Sequence, residues 1–434
     1  MTLDPAIHAR RRASLLEKMQ HGIAVIPTAP EAVRNGGTHY AYRYDSGFYY
    51  LTGFAEPEAA LVLVAGDNPQ SILFCREKNP EREVWDGYRC GPDAAREQYG
   101  FDSAYPIAQL DEKLTELMGN QTALFYPVGH DTAWDQRILE LRGVVQAKAR
   151  SGIRAPNEIH DVRTLLNEMR LFKDEYELGI MRRAADISTQ AHRRAMHFVR
   201  PGRFEYEIEA ELLHEFCRQG ARHPAYPPIV AGGANACVLH YVGNDAALGN
   251  GDLLLVDAGC ELEGYASDIT RTFPVNGRFS AAQRDVYGIV LAAQAAAIAA
   301  ARPGNTWDAP HDAALRVLAQ GFIDLGLCQG SVEAVLESES YKRFYMHRTG
   351  HWLGMDVHDV GDYKVGDEWR RLQPGMVFTV EPGCYIRPAD DVPQALWNIG
   401  VRIEDNVAIT AQGCEVLTAA APKTVAEIEE LMRS

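Results

Sequence analysis

The sequence predicts two domains, a smaller α/β domain followed by a larger α+β domain with an antiparallel sheet. Three observations carry that expectation. The chain has 434 residues, more than one hydrophobic core usually organises. Up to about residue 170, short β-like runs alternate with helical patterns, the signature of a small α/β unit. Beyond it, helical segments precede a strand-rich stretch, the order of an α+β domain.

Asp4-Pro5 pairs an N-cap with a first helical position and opens a helix near residues 5 to 19. Arg10, Arg11 and Arg12 lie within it and no apolar run follows them, so they do not read as a targeting peptide. β-like runs come next at GIAVIPT, FYYLTGF, AALVLVA and SILFC. Helical patterns near Ala94 to Gln98 and Ile107 to Met118 lead to a strand-like TALFYPV. Nothing here clusters ligand-type residues, so this part reads as structural or as controlling substrate access.

The boundary is expected near Phe172, giving domains 1–172 and 173–434. There a long helix carries Leu178, Met181, Ala185 and Ile187 at helical spacing and ends at Pro201-Gly202. A second helix runs from about Glu205 to Gln219, then the loop HPAYPPIVAGGANACVLHYVGN, with VLHY as a short strand. Ser280 and Gln283 have capping-box spacing and start a helix reaching Pro303-Gly304, with another over about Asp312 to Leu325. From Tyr345 the runs MVFTVEPGCYI and NIGVRIEDNVAIT read as strands, and a last helix begins near Thr424.

Composition removes several classes of function. No apolar run approaches the ~20 residues of a membrane span, so a transmembrane protein is excluded. A net charge of −16 argues against nucleic acid or an anionic membrane as partner and suits an enzyme that binds cations. The eight cysteines are scattered, without CxxC, which fits a reduced, cytoplasmic setting.

The chemistry concentrates in VDAGCELEGYASDITRTFPV, residues 256–275. Asp257 and Asp268 each sit in an apolar or Thr-rich run, with a turn-like Gly259 to Gly264 between. If the runs pair as a hairpin, two carboxylates meet at one end of a sheet, which is costly without a cation. Glu381 lies at a strand end before Pro382-Gly383; Glu404 shares a strand face with Arg402; His351 is flanked by Gly350 and Gly354, which permit close backbone approach. Two divalent ions would balance four carboxylates where one would leave strong repulsion. A carboxylate-rich set with one imidazole and no thiolate favours Mn²⁺, with Zn²⁺ or Co²⁺ as alternatives. Two such ions can share and acidify a water, so hydrolysis is the expected chemistry.

HRTGHWLGMDVHD, with the DAG…DITRTF and VEPG…RIED runs, resembles the pita-bread metallopeptidases, which include aminopeptidase P, prolidase and methionine aminopeptidase. DSGFYYLTGFAEPEA, NEMRLFKDEYE and MDVHDVG extend the likeness over nearly the whole chain, closest to the bacterial aminopeptidase P group. The resemblance implies a C-terminal pita-bread (creatinase/aminopeptidase) catalytic domain after a creatinase-like N-terminal domain. It implies that Asp257 binds one metal, Asp268 and Glu404 bridge two, and His351 and Glu381 bind the other. It gives Glu381 a proton-transfer role, places His240, His347 and His358 against substrate and the tetrahedral intermediate, and makes Tyr385 and Arg402 supporting residues.

The expected activity is removal of an N-terminal residue when proline follows it. Prolidase, acting on Xaa-Pro dipeptides, is the alternative, and a non-catalytic pita-bread binding module, which should have lost ligands, is another. Arg348 departs from the glycine often found at that place in the family. The resemblance also implies a homo-oligomer, dimer or tetramer, in which Trp85 reaches a neighbouring subunit's cleft; a half-buried Trp85 serving its own domain is the competing reading.

Overall fold

A computed structural model describes residues 4–433, and the chain divides into two compact units, Met1–Met169 and Arg170–Ser434. The first opens with α1 (Pro5–Met19), where the Asp4 carboxylate caps Ala6 N–H and proline occupies the first turn. Arg11 and Arg12 are buried rather than displayed. Arg12 donates to Leu51 O at 3.0 Å and to Tyr99 O at 3.1 Å, carbonyls at the ends of two other helices. The basic start of the chain therefore serves as internal caps.

Six strands form the sheet of this unit: β1 (Gly22–Pro27), β2 (Ala60–Ala65), β3 (Gln70–Cys75), β4 (Ser103–Pro106), β5 (Ala123–Tyr126) and β6 (Glu158–Asp161). Their order is β4-β3-β2-β1-β5-β6, with β2 antiparallel to β1 and β3 and the remaining pairings parallel. Ile23, Val25, Val62, Phe74 and Leu124 pack with Leu110 and Leu114 and with Ile138, Leu141 and Val145 in one core cluster. The last three lie on the helix Thr132–Ala147, where no element was expected.

FYYLTGF is a correction: it belongs to the helix Ser46–Thr52, not to a strand. The Asp45 side chain accepts from Phe48 N–H at 2.7 Å and Gly53 closes the helix in the left-handed conformation, so caps outweigh the β preference of the aromatics.

The second unit begins with the helix pair α2 (Glu175–Phe198) and α3 (Glu205–Arg218), the first opened by an Asp174/Glu177 capping box. Strands β7 (Ile229–Gly232), β8 (Leu253–Asp257) and β9 (Thr270–Pro274) follow as an antiparallel sheet with β8 central. Next come α4 (Ala281–Ala300), with the expected Ser280/Gln283 box, and α5 (Ala309–Asp324). β10 (Val377–Val380) pairs with β13 (Asp405–Ile409), and β11 (Gly383–Ile386) with β12 (Ile399–Arg402). The helix Val425–Leu431 closes the unit with Thr424 as its N-cap.

Helices are thus not all grouped ahead of strands. A helix pair precedes each set, because each antiparallel sheet needs cover for its apolar face. Two other expectations change. Gly259 to Gly264 is not a simple turn but contains a second hairpin, Cys260–Leu262 with Tyr265–Ala266, whose Glu263-Gly264 turn has φ of 51° and 83° at its two central residues. VLHY is not a strand: His240 lies in a turn after the 3-10 helix Gly233–Cys237, because β7 is paired with β8 and VLHY joins no sheet.

Candidate active site

Strand ends bring the acids together. Asp257 ends β8 opposite Thr270, and Asp268 stands just before β9. Glu381 leaves β10 and Glu404 lies between β12 and β13; because Val380 pairs with Asp405 and Gly383 with Arg402, both glutamates reach one place. His351 is drawn against β10: its N–H donates to Thr379 Oγ1 at 3.1 Å and its carbonyl accepts from Thr379 N–H at 3.0 Å. A Cβ on Gly350 would sit 2.0 Å from Thr379 O, so this approach requires glycine.

The result is a cavity of about 430 Å³ lined by Asp257, Asp268, His351, Glu381 and Glu404 together with His240, His347, His358, Tyr226, Arg348 and Arg402. Ligand atoms of Asp268, His351 and Glu404 lie within 4.8 Å of one another. His351 Nδ1–H donates to Trp352 O at 3.0 Å, which turns Nε2 toward the acids, 3.4 Å from Asp268 Oδ2 and 3.5 Å from Glu381 Oε1. A ring fixed by a backbone carbonyl with its other nitrogen turned to carboxylates is the arrangement of a metal-ligating histidine.

Charge points the same way. Burial, and then Asp268, Glu381 and Asp257, push the Glu404 carboxyl well above its usual range. Burial also raises Asp268, and it raises Glu381 to about 7 although His351 and Arg402 oppose it. Tyr226, which was not singled out from the sequence, sits 2.6 Å from Asp257 Oδ1 and closer still to Asp268 Oδ1. Its single proton can serve only one of them. The carboxylates are short of positive charge, so the donor set fits divalent cations.

A network supports the cluster. Arg402, buried among acids, donates to Asp257 Oδ2 at 2.6 Å, Tyr385 Oη at 3.0 Å and Thr270 Oγ1 at 3.1 Å; Thr270 in turn donates to Glu404 Oε2 at 2.6 Å. Since arginine has no acceptor, the Tyr385 hydroxyl donates onward to His347 Nε2 at 2.9 Å. His347 Nδ1–H then faces Arg348 O at 2.8 Å, and burial with Arg402 nearby lowers His347 to about 3, so it is neutral. The Asn406 amide accepts from Asp268 N–H at 3.1 Å and donates to Asp268 O. Neither Tyr226 nor Asn406 stands out as functional in the sequence, although both lie within runs quoted from it, HPAYPPIVAGGANACVLHYVGN and NIGVRIEDNVAIT.

The loop bearing His240 is held from beneath. Glu205 is fully buried; Oε1 accepts from Gly232 N–H at 2.7 Å and Asn235 Nδ2 at 3.0 Å, and Oε2 from Tyr241 Oη at 2.7 Å and Ala246 N–H at 2.9 Å. Glu205→Gln would turn an amide N–H₂ toward donors. We expect kcat/KM to fall ~10-fold or more, from ~1–3 kcal/mol per buried donor left unpaired. A change within about twofold, measured at unchanged metal content, would count against this role.

Trp85 is placed differently. It lies on the helix Pro80–Asp86 of the first unit and is 83% exposed, beside exposed Val84 and Tyr88, so it is not half-buried in its own domain.

Fold and site define a metallopeptidase, and the chain belongs to metallopeptidase family M24, whose family model matches residues 179–411, while the model of the aminopeptidase P N-terminal domain matches residues 8–126. It is similar to Xaa-Pro aminopeptidase of Escherichia coli (strain K12), 44% identical over 98% of this chain and 96% of that protein. Xaa-Pro aminopeptidase of Haemophilus influenzae is 46% identical over 97% of this chain and 96% of its own. Among solved structures, aminopeptidase PepP of Pseudomonas aeruginosa superposes with a TM-score of 0.98 at 51% identity, covering 100% of this chain and 99% of that one. A variant of Escherichia coli aminopeptidase P in complex with substrate gives 0.97 at 42% identity, again over 100% and 99%.

Proposed function

We propose that this enzyme is a Xaa-Pro aminopeptidase, hydrolysing the bond between an N-terminal residue and a following proline with two divalent ions, Mn²⁺ in preference to Zn²⁺ or Co²⁺. The observation that carries the reading is the convergence of four carboxylates and the Nε2 of His351 in one cavity. Likeness to Xaa-Pro aminopeptidases over both domains supports the proline preference.

Asp257, Asp268, His351, Glu381 and Glu404 would hold the ions. When bound, these supply Lewis acidity and an acidified water. Every remaining task falls to the chain. Arg402 fixes the orientation of Asp257, and His347 holds the Tyr385 hydroxyl beside it. His240 and His358 present imidazoles to the cavity, where they can hydrogen-bond substrate and its developing oxyanion. Glu381 transfers the proton between the attacking water and the leaving amine.

Exposed Val84, Trp85 and Tyr88 support a homo-oligomer in which this apolar patch meets another subunit. All eight cysteines are free, which supports a cytoplasmic setting. Among the described residues no helix is long and apolar enough to cross a membrane.

The test compares Ala-Pro-Ala, the dipeptide Ala-Pro and Ala-Ala-Ala, each with Mn²⁺, Co²⁺ or Zn²⁺. Cleavage of the first alone, fastest with Mn²⁺, is expected, from a preparation that light scattering finds larger than a monomer. Preference for the dipeptide would make the enzyme a prolidase. No hydrolysis with any metal would return the binding-module reading.

A further inference from the structure

Two arginines line the cavity, and they differ. Arg402 is committed to Asp257, Tyr385 and Thr270. Arg348 is exposed, and no carboxylate is ion-paired with it among the described residues; Asp312 feels its charge without pairing. Its guanidinium lies over the Trp369 ring, 4.9 Å from the centroid. The same indole carries a second cation, Lys364, whose Nζ is 4.6 Å from the centroid and which pairs with Trp369 across the hairpin Lys364–Val365 and Glu368–Trp369.

Stacking on an aromatic face occupies the flat side of a guanidinium and leaves its in-plane N–H donors available, in the fork that matches a carboxylate. Holding the group against Trp369 also lowers the entropy lost when it binds. Lys364 adds positive charge on the same platform. A cation so held at a cleft lined by carboxylates is placed to meet an anion that arrives with substrate.

We propose that Arg348 binds a carboxylate of the peptide substrate, so that the enzyme favours Xaa-Pro peptides carrying a negative charge near the cleaved bond. This rests on the proposed peptidase activity and adds the charge class of its substrates. The carboxylate can come from an acidic first residue, an acidic residue after proline, or the C-terminus of a short peptide.

The experiment measures kcat/KM of the full-length, Mn²⁺-loaded enzyme on four peptides: Ala-Pro-Ala amide, Glu-Pro-Ala amide, Ala-Pro-Glu amide and Ala-Pro-Ala free acid. The neutral amide sets the reference, and whichever anionic peptide is preferred identifies the source. On the order of a tenfold preference is expected, as for a charged hydrogen bond in a partly desolvated cleft. In Arg348→Gln the ratio should fall close to that without charge selection, Arg348→Lys should restore part of it, and high salt should weaken it in the wild type. Trp369→Leu should reduce it by removing the platform. Equal rates on all four peptides in the wild type, or an unchanged ratio in Arg348→Gln, would overturn the proposal while leaving the peptidase reading intact. Failure to cleave even the neutral amide would instead overturn that reading, and this one with it.

Discussion

Replacing Glu381 with alanine is expected to lower kcat by at least ~10²–10⁴-fold, the range associated with a positioned acid-base group. The structure gives this carboxylate little freedom. Its N–H donates to Thr349 O at 2.8 Å, Oε1 accepts from Thr379 Oγ1 at 3.1 Å, and Pro382 follows it. One oxygen faces His351 Nε2 at 3.5 Å and the other His347 Nδ1 at 3.8 Å, so the group spans the ligand cluster and the open cleft. An oxygen turned each way lets one residue hold an ion and still exchange a proton with a neighbouring water. Glu381→Gln keeps the shape and removes the base, so it should lose most of the same turnover. Elemental analysis of each variant separates loss of metal from loss of proton transfer. A Glu381→Gln enzyme with normal metal content and near-normal kcat would end the proton-transfer role.

Much of the candidate site is legible in the sequence. Asp257, Asp268 and Glu404 stood out because an acid among strand-forming apolar residues needs a partner, and His351 because glycines flank it. Glu381 marked a strand end through Pro382-Gly383. Tyr226, Asn406 and Glu205 were not readable. Their roles depend on hydrogen bonds between residues far apart in the chain, such as Tyr226 with Asp268 or Asn406 with Asp268, and no local pattern records them. The same division applies to the fold. Ser280/Gln283 and Thr424 are local caps and could be read directly. FYYLTGF could not be settled by residue preference, because Asp45 and Gly53 at its ends decided the matter. VLHY has strand-like residues but no sheet edge to join, a fact that only tertiary structure supplies.

Removing the Asp359 carboxylate should destabilise the catalytic unit by ~3–5 kcal/mol, the cost of breaking one side of a buried ion pair. Asp359 Oδ1 accepts from Arg170 Nη2 at 2.6 Å and Oδ2 from Lys173 Nζ at 2.8 Å, with Asp359 and Lys173 side chains each only 1% exposed. Arg170 keeps Asp356 at 2.7 Å, but Lys173 has no other carboxylate in reach among the described residues. Asp359→Ala or Asp359→Asn therefore leaves a buried ammonium that must either stay charged without a partner or lose its proton. The pair also fixes the segment after His351: Asp359 N–H donates to Trp352 O at 2.9 Å, and a Cβ on Gly354 would lie 2.0 Å from Asp359 Oδ2, so His358 is anchored through its neighbour. Burial raises the Asp359 carboxyl, but Lys173 and Arg170 outweigh it and the net shift is downward. A folded pKa below the unfolded value of ~3.9 means that this stabilisation is fully present above the unfolded value and is lost as pH falls through the folded one. The difference in unfolding free energy between wild type and Asp359→Asn should accordingly be flat from neutral pH to about 5 and shrink in stronger acid. Denaturant unfolding across that range measures it, with urea chosen because it does not screen the ion pair. A gap under about 1 kcal/mol at neutral pH, the size of an exposed pair, would show that the ion pairs of Asp359 with Lys173 and Arg170 are not what holds this segment.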